Sequence, residues 1–222
     1  MSSQWGVLFD WDGVVIDSSV QHERSWELLA EERGLTLPEG HFKEGFGKKN
    51  EVIIPWLGWA SEPGAVVELA DRKEELYRGL VARDGVTVLP GARELLLALR
   101  SAGIPRAVGS STPRGNLDAL FAVTGLGELF DAVVCGSDVL HGKPDPEVFL
   151  KGASLLGLAP SRCIVIEDAF AGIEAARRGG MKVVGVATTN PLDLLRDCDL
   201  AVDSLAEVTP AILAGLLESS PR

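Results

Sequence analysis

Val7-Leu8-Phe9-Asp10-Trp11-Asp12-Gly13-Val14 is the stretch that decides the fold. A short apolar run stops abruptly in two carboxylates and a glycine. The run reads as a buried strand, and alternation at its end predicts Asp10 and Asp12 on one side with Trp11 on the other. Gly13 lets the chain turn without a side chain crowding whatever binds there. Two carboxylates at the mouth of a strand repel each other, and burying them is costly unless a cation compensates. A divalent metal is the candidate, because Mg²⁺ favours one or two carboxylates together with substrate phosphate. The competing reading is a capped turn, for which Asp is a favoured residue. On this stretch alone the two readings weigh about equally.

Downstream, Ser18 or Ser19 opens a helix that runs to about Arg33 and is stopped by Gly34. Residues 36–63 read as irregular, with Gly45-Phe46-Gly47-Lys48-Lys49-Asn50 in their middle. An amphipathic helix is predicted from about Gly64 to Arg83, with Val67, Leu69, Leu76 and Leu80 as apolar positions and Asp84-Gly85 as its stop. From Pro90 the rhythm changes. Helices at 90–101, 113–123, 146–156 and 170–178 alternate with strands at 104–109, 131–135, 163–166 and 182–186. A weaker strand near 200–202 and a closing helix follow. This alternation predicts an α/β fold, a mainly parallel sheet covered on both faces. The expected organisation is a core of residues 1–16 and 88–222 with a helical insert at 17–87.

In such sheets ligands bind beyond the carboxyl ends of the strands. The first strand delivers Asp10 and Asp12 there; the next core strand ends in Ser110-Ser111-Thr112, and the Cys163 strand in Glu167-Asp168. Lys143 lies in the loop Gly142-Lys143-Pro144-Asp145. Acidic, hydroxyl and cationic groups from separate segments thus converge on one edge, which core packing does not require. The set suits phosphoryl transfer through an aspartyl-phosphate. Asp10 would attack phosphorus, splitting one displacement into two easier ones. Mg²⁺ held by Asp10 and Asp168 would neutralise charge on nucleophile and substrate. Asp12 could protonate the leaving oxygen and later activate water. The Ser110 hydroxyl, the Ser111 backbone N–H and the Lys143 ammonium suit the phosphoryl oxygens.

Asp10-Trp11-Asp12-Gly13-Val14, Ser110, Lys143-Pro144-Asp145-Pro146 and Glu167-Asp168-Ala169-Phe170-Ala171-Gly172 resemble, in order, the four motifs of the haloacid dehalogenase superfamily. The insert resembles that family's small helical cap of the C1 type, in the branch of beta-phosphoglucomutase and phosphoglycolate phosphatase. The resemblance implies a Rossmann-like parallel core with an inserted α-helical cap that closes over the site, and Mg²⁺ as cofactor. It implies Asp10 as nucleophile, Asp12 as acid/base, and phosphoryl contacts from Ser110 and Lys143. Metal ligands would be Asp10, Asp168, Glu167 beside it, and Asp12 through its backbone carbonyl.

The remaining candidates bear on substrate. His22 is similar to a histidine near the hinge of the mutase branch, against an exposed helix histidine as the plain alternative. Gly47, Lys48, Lys49 and Asn50 stand where related caps carry a substrate-reading loop. Lys73, in Arg72-Lys73-Glu74-Glu75, resembles a cap lysine of the same branch, with an ordinary ion-paired helix face beside Glu74 and Glu75 as the alternative. Thr112 and Arg114 adjoin the phosphate-binding serines; Trp56 and Trp59 read as cap packing, and His41 and His141 as ordinary surface residues.

Composition narrows the partners. The chain has 222 residues, 46% of them apolar, and a formal net charge of −11. That charge argues against nucleic acid or an anionic membrane as partner. The three cysteines, Cys135, Cys163 and Cys198, form no CxxC pair and read as small core residues in a reducing compartment. No targeting segment or membrane span is visible, so a cytoplasmic protein is expected, a monomer rather than a dimer.

The expected function is a Mg²⁺-dependent phosphatase acting on a small phosphorylated metabolite, a sugar phosphate or similar phosphomonoester. A beta-phosphoglucomutase-like phosphotransferase is the alternative. That branch places a cap arginine and a lysine after the serines, where this chain has Asn50 and Pro113. A more distant alternative is an aspartyl-phosphate signalling receiver, which shares the acidic cluster, hydroxyl and lysine but has no insert. A dehalogenase would have no need of Asp12.

Overall fold

All four residues of β1 (Gly6–Phe9) are buried, as befits an apolar run flanked on both faces and both edges. The computed structural model describes residues 5–45 and 49–218. After β1 come β2 (Ile16–Asp17), α1 (Ser19–Arg33), α2 (His41–Gly45), α3 (Asn50–Trp56), α4 (Pro63–Asp84) and β3 (Thr87–Val88). Then the alternation begins: α5 (Ala92–Ser101), β4 (Arg106–Gly109), α6 (Arg114–Thr124), β5 (Ala132–Val134) and α7 (Glu147–Leu155). It continues through β6 (Cys163–Glu167), α8 (Phe170–Arg178), β7 (Lys182–Val186), β8 (Leu200–Val202) and α9 (Pro210–Glu218). The chain divides into two compact units, one up to Asp17 and from Thr87 onward, the other Ser18–Val86.

In the first unit six strands form one sheet in the order β5-β4-β1-β6-β7-β8, every neighbouring pair parallel. The chain steps outward from β1 through β4 to β5, then returns to lay β6 against the other edge of β1. A reversal of that kind opens a crevice at the carboxyl ends of the strands on either side of it. β1, β4 and β6 therefore deliver their last residues to the same place. Leu8, Ala107, Val134 and Val165 build the core on one face, with Val148, Phe149 and Ala153 of α7. On the other face Phe9 and Trp11 meet Phe130 edge-on at 5.8 and 5.9 Å, and Trp11 meets Phe121 at 4.9 Å. Such pairs add about 0.5–1.5 kcal/mol each beyond the area they bury. The short strands β2 and β3 pair antiparallel, Ile16 with Val88 and Asp17 with Thr87.

The second unit is helical and has its own core of Trp26, Leu29, Ile53, Ile54, Val66, Leu69 and Ala70. Three expectations need correcting there. The stretch expected to be irregular holds α2 and α3, short helices disguised by Gly45 and by Pro55 inside α3. On α4 the buried face is Val66, Leu69, Ala70, Lys73, Tyr77, Leu80 and Val81, while Val67 points outward at 52% exposure. Trp59 packs edge-on against Trp26 at 5.8 Å as expected, but Trp56 is 44% exposed and is no core residue. Ser18 stands at the N-cap of α1 without making the side-chain capping bond. In the sheet unit the strand expected from residue 104 begins at Arg106. Cys135 and Cys163 are buried, Cys198 is half-buried, and all three are free. Among the described residues no helix is long and apolar enough to cross a membrane.

Candidate active site

Asp10 is the first residue past β1, and its N–H donates to the Ile166 carbonyl at 3.0 Å, which extends the sheet register by one step. The chain then turns sharply: Val15 and Ile16 both donate to the Trp11 carbonyl, and Gly13 donates to Ile16. Gly13 has φ +79°, and a Cβ there would stand 2.1 Å from Asp168 Oδ2. Any other residue would be strained and would displace that carboxylate. The turn separates the two aspartates by partner. Lys143 Nζ donates to Asp10 Oδ1 at 2.7 Å, whereas the Thr112 hydroxyl donates to Asp12 Oδ2 at 2.7 Å.

Lys143 also donates to Glu167 Oε1 at 2.7 Å and lies over the Phe149 ring, 4.8 Å from its centroid. Glu167, the last residue of β6, is fully buried, and its Oε2 accepts the N–H groups of Asp168 and Ala169 at 2.8 Å each. A Cβ on Gly172 would fall 1.6 Å from Glu167 Oε1, so the helix start leaves room for this carboxylate only because it has none. Carboxylate oxygens of Asp10, Glu167 and Asp168 lie within 4.8 Å of one another.

Three carboxylates against one ammonium leave an excess of buried negative charge. Burial pushes the Asp10 carboxyl up to about 7 against the pull of Lys143, with Glu167 adding to the rise. Asp168 is pushed up to about 8 by burial, then by Glu167 and Asp10. Burial opposes the charge on Lys143, but Asp10 and Glu167 outweigh it and hold its pKa above the ordinary range. Such a donor set, all hard oxygen at close spacing, fits one divalent cation such as Mg²⁺. The Asp12 carboxyl is not part of that convergence.

The hydroxyl loop is held between strands. Ser110 is buried and donates its N–H to Val134, Gly136 donates to the Thr112 carbonyl, and the Thr112 N–H donates to Ser110 Oγ at 3.1 Å. Ser111 is exposed at the loop tip. Arg114 opens α6 on the surface and pairs loosely with Asp118 at 3.6 Å. Sequence reasoning passed over Thr188, Thr189 and Asn190. Their side chains donate to the Gly13 carbonyl, to Asp168 Oδ2 and, at 2.9 Å, to the Asp168 carbonyl. Applying the strand-end rule to β7 as well would have pointed to them.

The other substrate candidates belong to the helical unit. Gly47 and Lys48 lie outside the described residues. Lys49 is exposed at the N-cap of α3, and Asn50 donates to Glu74 Oε1 at 2.6 Å. Lys73 is neither a surface lysine nor one of a solvated pair: at 2% exposure it donates to His22 Nδ1 at 2.7 Å and to Glu74 at 3.0 Å. An ammonium can only donate, so His22 accepts at Nδ1 and carries its proton on Nε2. His22 stacks on Tyr77 at 4.0 Å and is not the exposed helix histidine of the plain alternative. Burial, then Lys73, hold it well below the ordinary histidine range. His41 bonds the Pro38 carbonyl at 3.1 Å. His141 lies beside Asp145 and Glu147, but Glu147 is already engaged by the Leu140 and His141 N–H groups.

A family model described as haloacid dehalogenase-like hydrolase matches residues 6–180. The chain is 36% identical to hexitol phosphatase A of Escherichia coli (strain K12) over 92% of its own length and 93% of that protein's. It is 37% identical to the chloroplastic 5-amino-6-(5-phospho-D-ribitylamino)uracil phosphatase of Arabidopsis thaliana, over 94% of this chain. There it spans 57% of the plant protein's length. The crystal structure of beta-phosphoglucomutase from Clostridium difficile superposes with a TM-score of 0.82 at 26% identity, over 97% of each chain.

Proposed function

The chain belongs to the haloacid dehalogenase-like hydrolases, and from that premise we propose that it is a Mg²⁺-dependent phosphatase of small phosphorylated metabolites, sugar phosphates or similar monoesters. The observation that carries this reading is the division of labour between two aspartates: Asp10 is bound by Lys143 within the acidic cluster, while Asp12 is held apart by Thr112. One carboxylate is thereby kept for attack and the other for proton transfer. The helical unit Ser18–Val86, expected from the sequence at 17–87, is proposed as the family's cap and the remainder as its catalytic core.

Asp10, Glu167, Asp168 and the Asp12 carbonyl would hold the cation, which when bound supplies charge neutralisation at the phosphoryl oxygens. An Asp10 carboxylate oxygen attacks phosphorus and the bond to the leaving oxygen breaks, as Asp12 gives that oxygen its proton. Asp12, now a carboxylate, takes a proton from water, whose oxygen attacks the aspartyl-phosphate and releases inorganic phosphate. Ser110, the Ser111 N–H and Lys143 donate to the phosphoryl oxygens throughout. Glu167 keeps the Lys143 ammonium aimed.

A phosphomutase would need a second cationic clamp for the phosphate that is not transferred. Asn50 is engaged with Glu74, and Pro113 carries no charge, so hydrolysis is favoured. The test is a phosphate-release screen over hexitol, pentitol and sugar phosphates with Mg²⁺, beside Asp10→Asn and a chelator control. Repeated turnover abolished by both establishes the phosphatase. Conversion of beta-glucose 1-phosphate to glucose 6-phosphate, without phosphate release, replaces it with the mutase.

A further inference from the structure

Thr188, Thr189 and Asn190 follow β7 and have no part in the reaction as written, yet all three side chains are committed to the acidic site. Thr188 Oγ1 donates to the Gly13 carbonyl, Thr189 Oγ1 to Asp168 Oδ2, and Asn190 Nδ2 to the Asp168 carbonyl at 2.9 Å. Their two targets touch each other, because a Cβ on Gly13 would stand 2.1 Å from Asp168 Oδ2. One tripeptide therefore grips the turn that follows the nucleophile strand and the carboxylate that faces it from the next strand.

The carboxylate needs such a grip. The terminal torsion of an aspartate is soft and roughly two-fold, so the backbone alone leaves its oxygens free to rotate. Asp168 is also repelled by two neighbouring carboxylates, which favours turning away from them. A hydroxyl donor on Oδ2, with Gly13 closing the space behind it, fixes that rotation before a cation arrives. We propose that Thr188, Thr189 and Asn190 are positioning residues that hold Asp168 and the Gly13 turn in cation-binding register, and that Thr189 sets the affinity for the divalent ion. This rests on the reading of Asp168 as a metal ligand.

The test is binding of Mn²⁺, a spectroscopically visible stand-in for Mg²⁺, followed by the loss of its free-ion electron paramagnetic resonance signal. The full chain is compared as wild type, Thr189→Val, Thr189→Ser, Asn190→Ala and Asp168→Asn. Removing an outer partner of a metal ligand weakens binding by about 10- to 100-fold; that loss is expected for Thr189→Val, with Thr189→Ser restoring wild-type binding. The Mg²⁺ concentration for half-maximal phosphate release rises in parallel, while kcat at saturating Mg²⁺ is kept. Should the valine variant not fold, Asn190→Ala carries the test with the same expected direction. Wild-type affinity in Thr189→Val, or a loss that serine does not restore, overturns the clamp. Failure of the wild type to bind Mn²⁺, or unchanged binding in Asp168→Asn, overturns instead the metal reading on which it rests.

Discussion

Lys143 Nζ stands 2.7 Å from Asp10 Oδ1 in an ion pair that burial shields from water on both sides. The same ammonium is 2.7 Å from Glu167, so one cation separates two carboxylates that would otherwise face each other. Lys143→Met keeps most of the stem and removes the charge. Breaking a buried pair in this way costs about 3–5 kcal/mol, to be read by urea denaturation in chelator. Loss of one donor to the phosphoryl group lowers kcat by a further ~10²–10³-fold at saturating Mg²⁺. A methionine variant of wild-type stability in chelator would mean that the carboxylates tolerate each other unaided.

The acidic cluster gives the metal-free protein an inverted pH dependence. Asp10 and Asp168 have ordinary values of 3.8 and are pushed up to about 7 and about 8 in the folded chain. Between those limits the folded state binds more protons than the unfolded state, so these groups favour folding at the acid end and lose that contribution as pH rises. Urea midpoints in chelator should fall from pH 5 to pH 8 relative to Asp10→Asn, which lacks one of the two carboxyls. Saturating Mg²⁺ should flatten the difference. Midpoints that rise with pH relative to the variant would contradict the assignment.

The acidic centre was legible in the sequence because its chemistry sits at strand ends, where Asp10-Trp11-Asp12 and Glu167-Asp168 interrupt apolar runs that have no other reason to stop. Thr188-Thr189-Asn190 stood out less, because hydroxyl and amide residues after a strand are also ordinary turn composition, and only the strand-end rule applied to β7 singles them out. Lys73 stayed between two readings, a substrate lysine and an ion-paired face, for a different reason. Within Arg72-Lys73-Glu74-Glu75 it looks like part of a solvated face, and only the packing of α1 against α4 reveals that its ammonium has partners inside. The short helices α2 and α3 were hidden because local glycine and proline signals are outweighed there by burial of Ile53 and Ile54 against α4.

His22 gives the helical unit a pH response of the opposite sign. Its folded pKa is lowered by burial and by Lys73, so the unfolded chain binds the extra proton first as pH falls through the ordinary histidine value of 6.5. Stability is complete above that value and declines below it. His22→Asn places an amide oxygen near the Nδ1 position, preserving an acceptor for Lys73 without a titrating ring. Thermal melts should show the wild type losing more stability than the variant between pH 7 and pH 5. Parallel curves would mean that His22 titrates alike in both states.

Two glycine-to-alanine changes separate crowding from backbone entropy. Gly215, in α9, has nothing within 4 Å of an added Cβ, and Gly215→Ala should stabilise by about 0.5–1 kcal/mol through helix propensity alone. Gly172, in α8, gains the same propensity but drives its Cβ to 1.6 Å from Glu167 Oε1. The carboxylate must move, and overpacking of this kind costs about 1–3 kcal/mol. The displaced oxygen is the one that holds Lys143, so phosphate release should fall together with the melting temperature. A Gly172→Ala protein that melts like the wild type but has lost activity would show that Glu167 swings aside without strain and that its role is to aim Lys143. Full activity in that variant would instead show that Lys143 is held well enough by Asp10 alone.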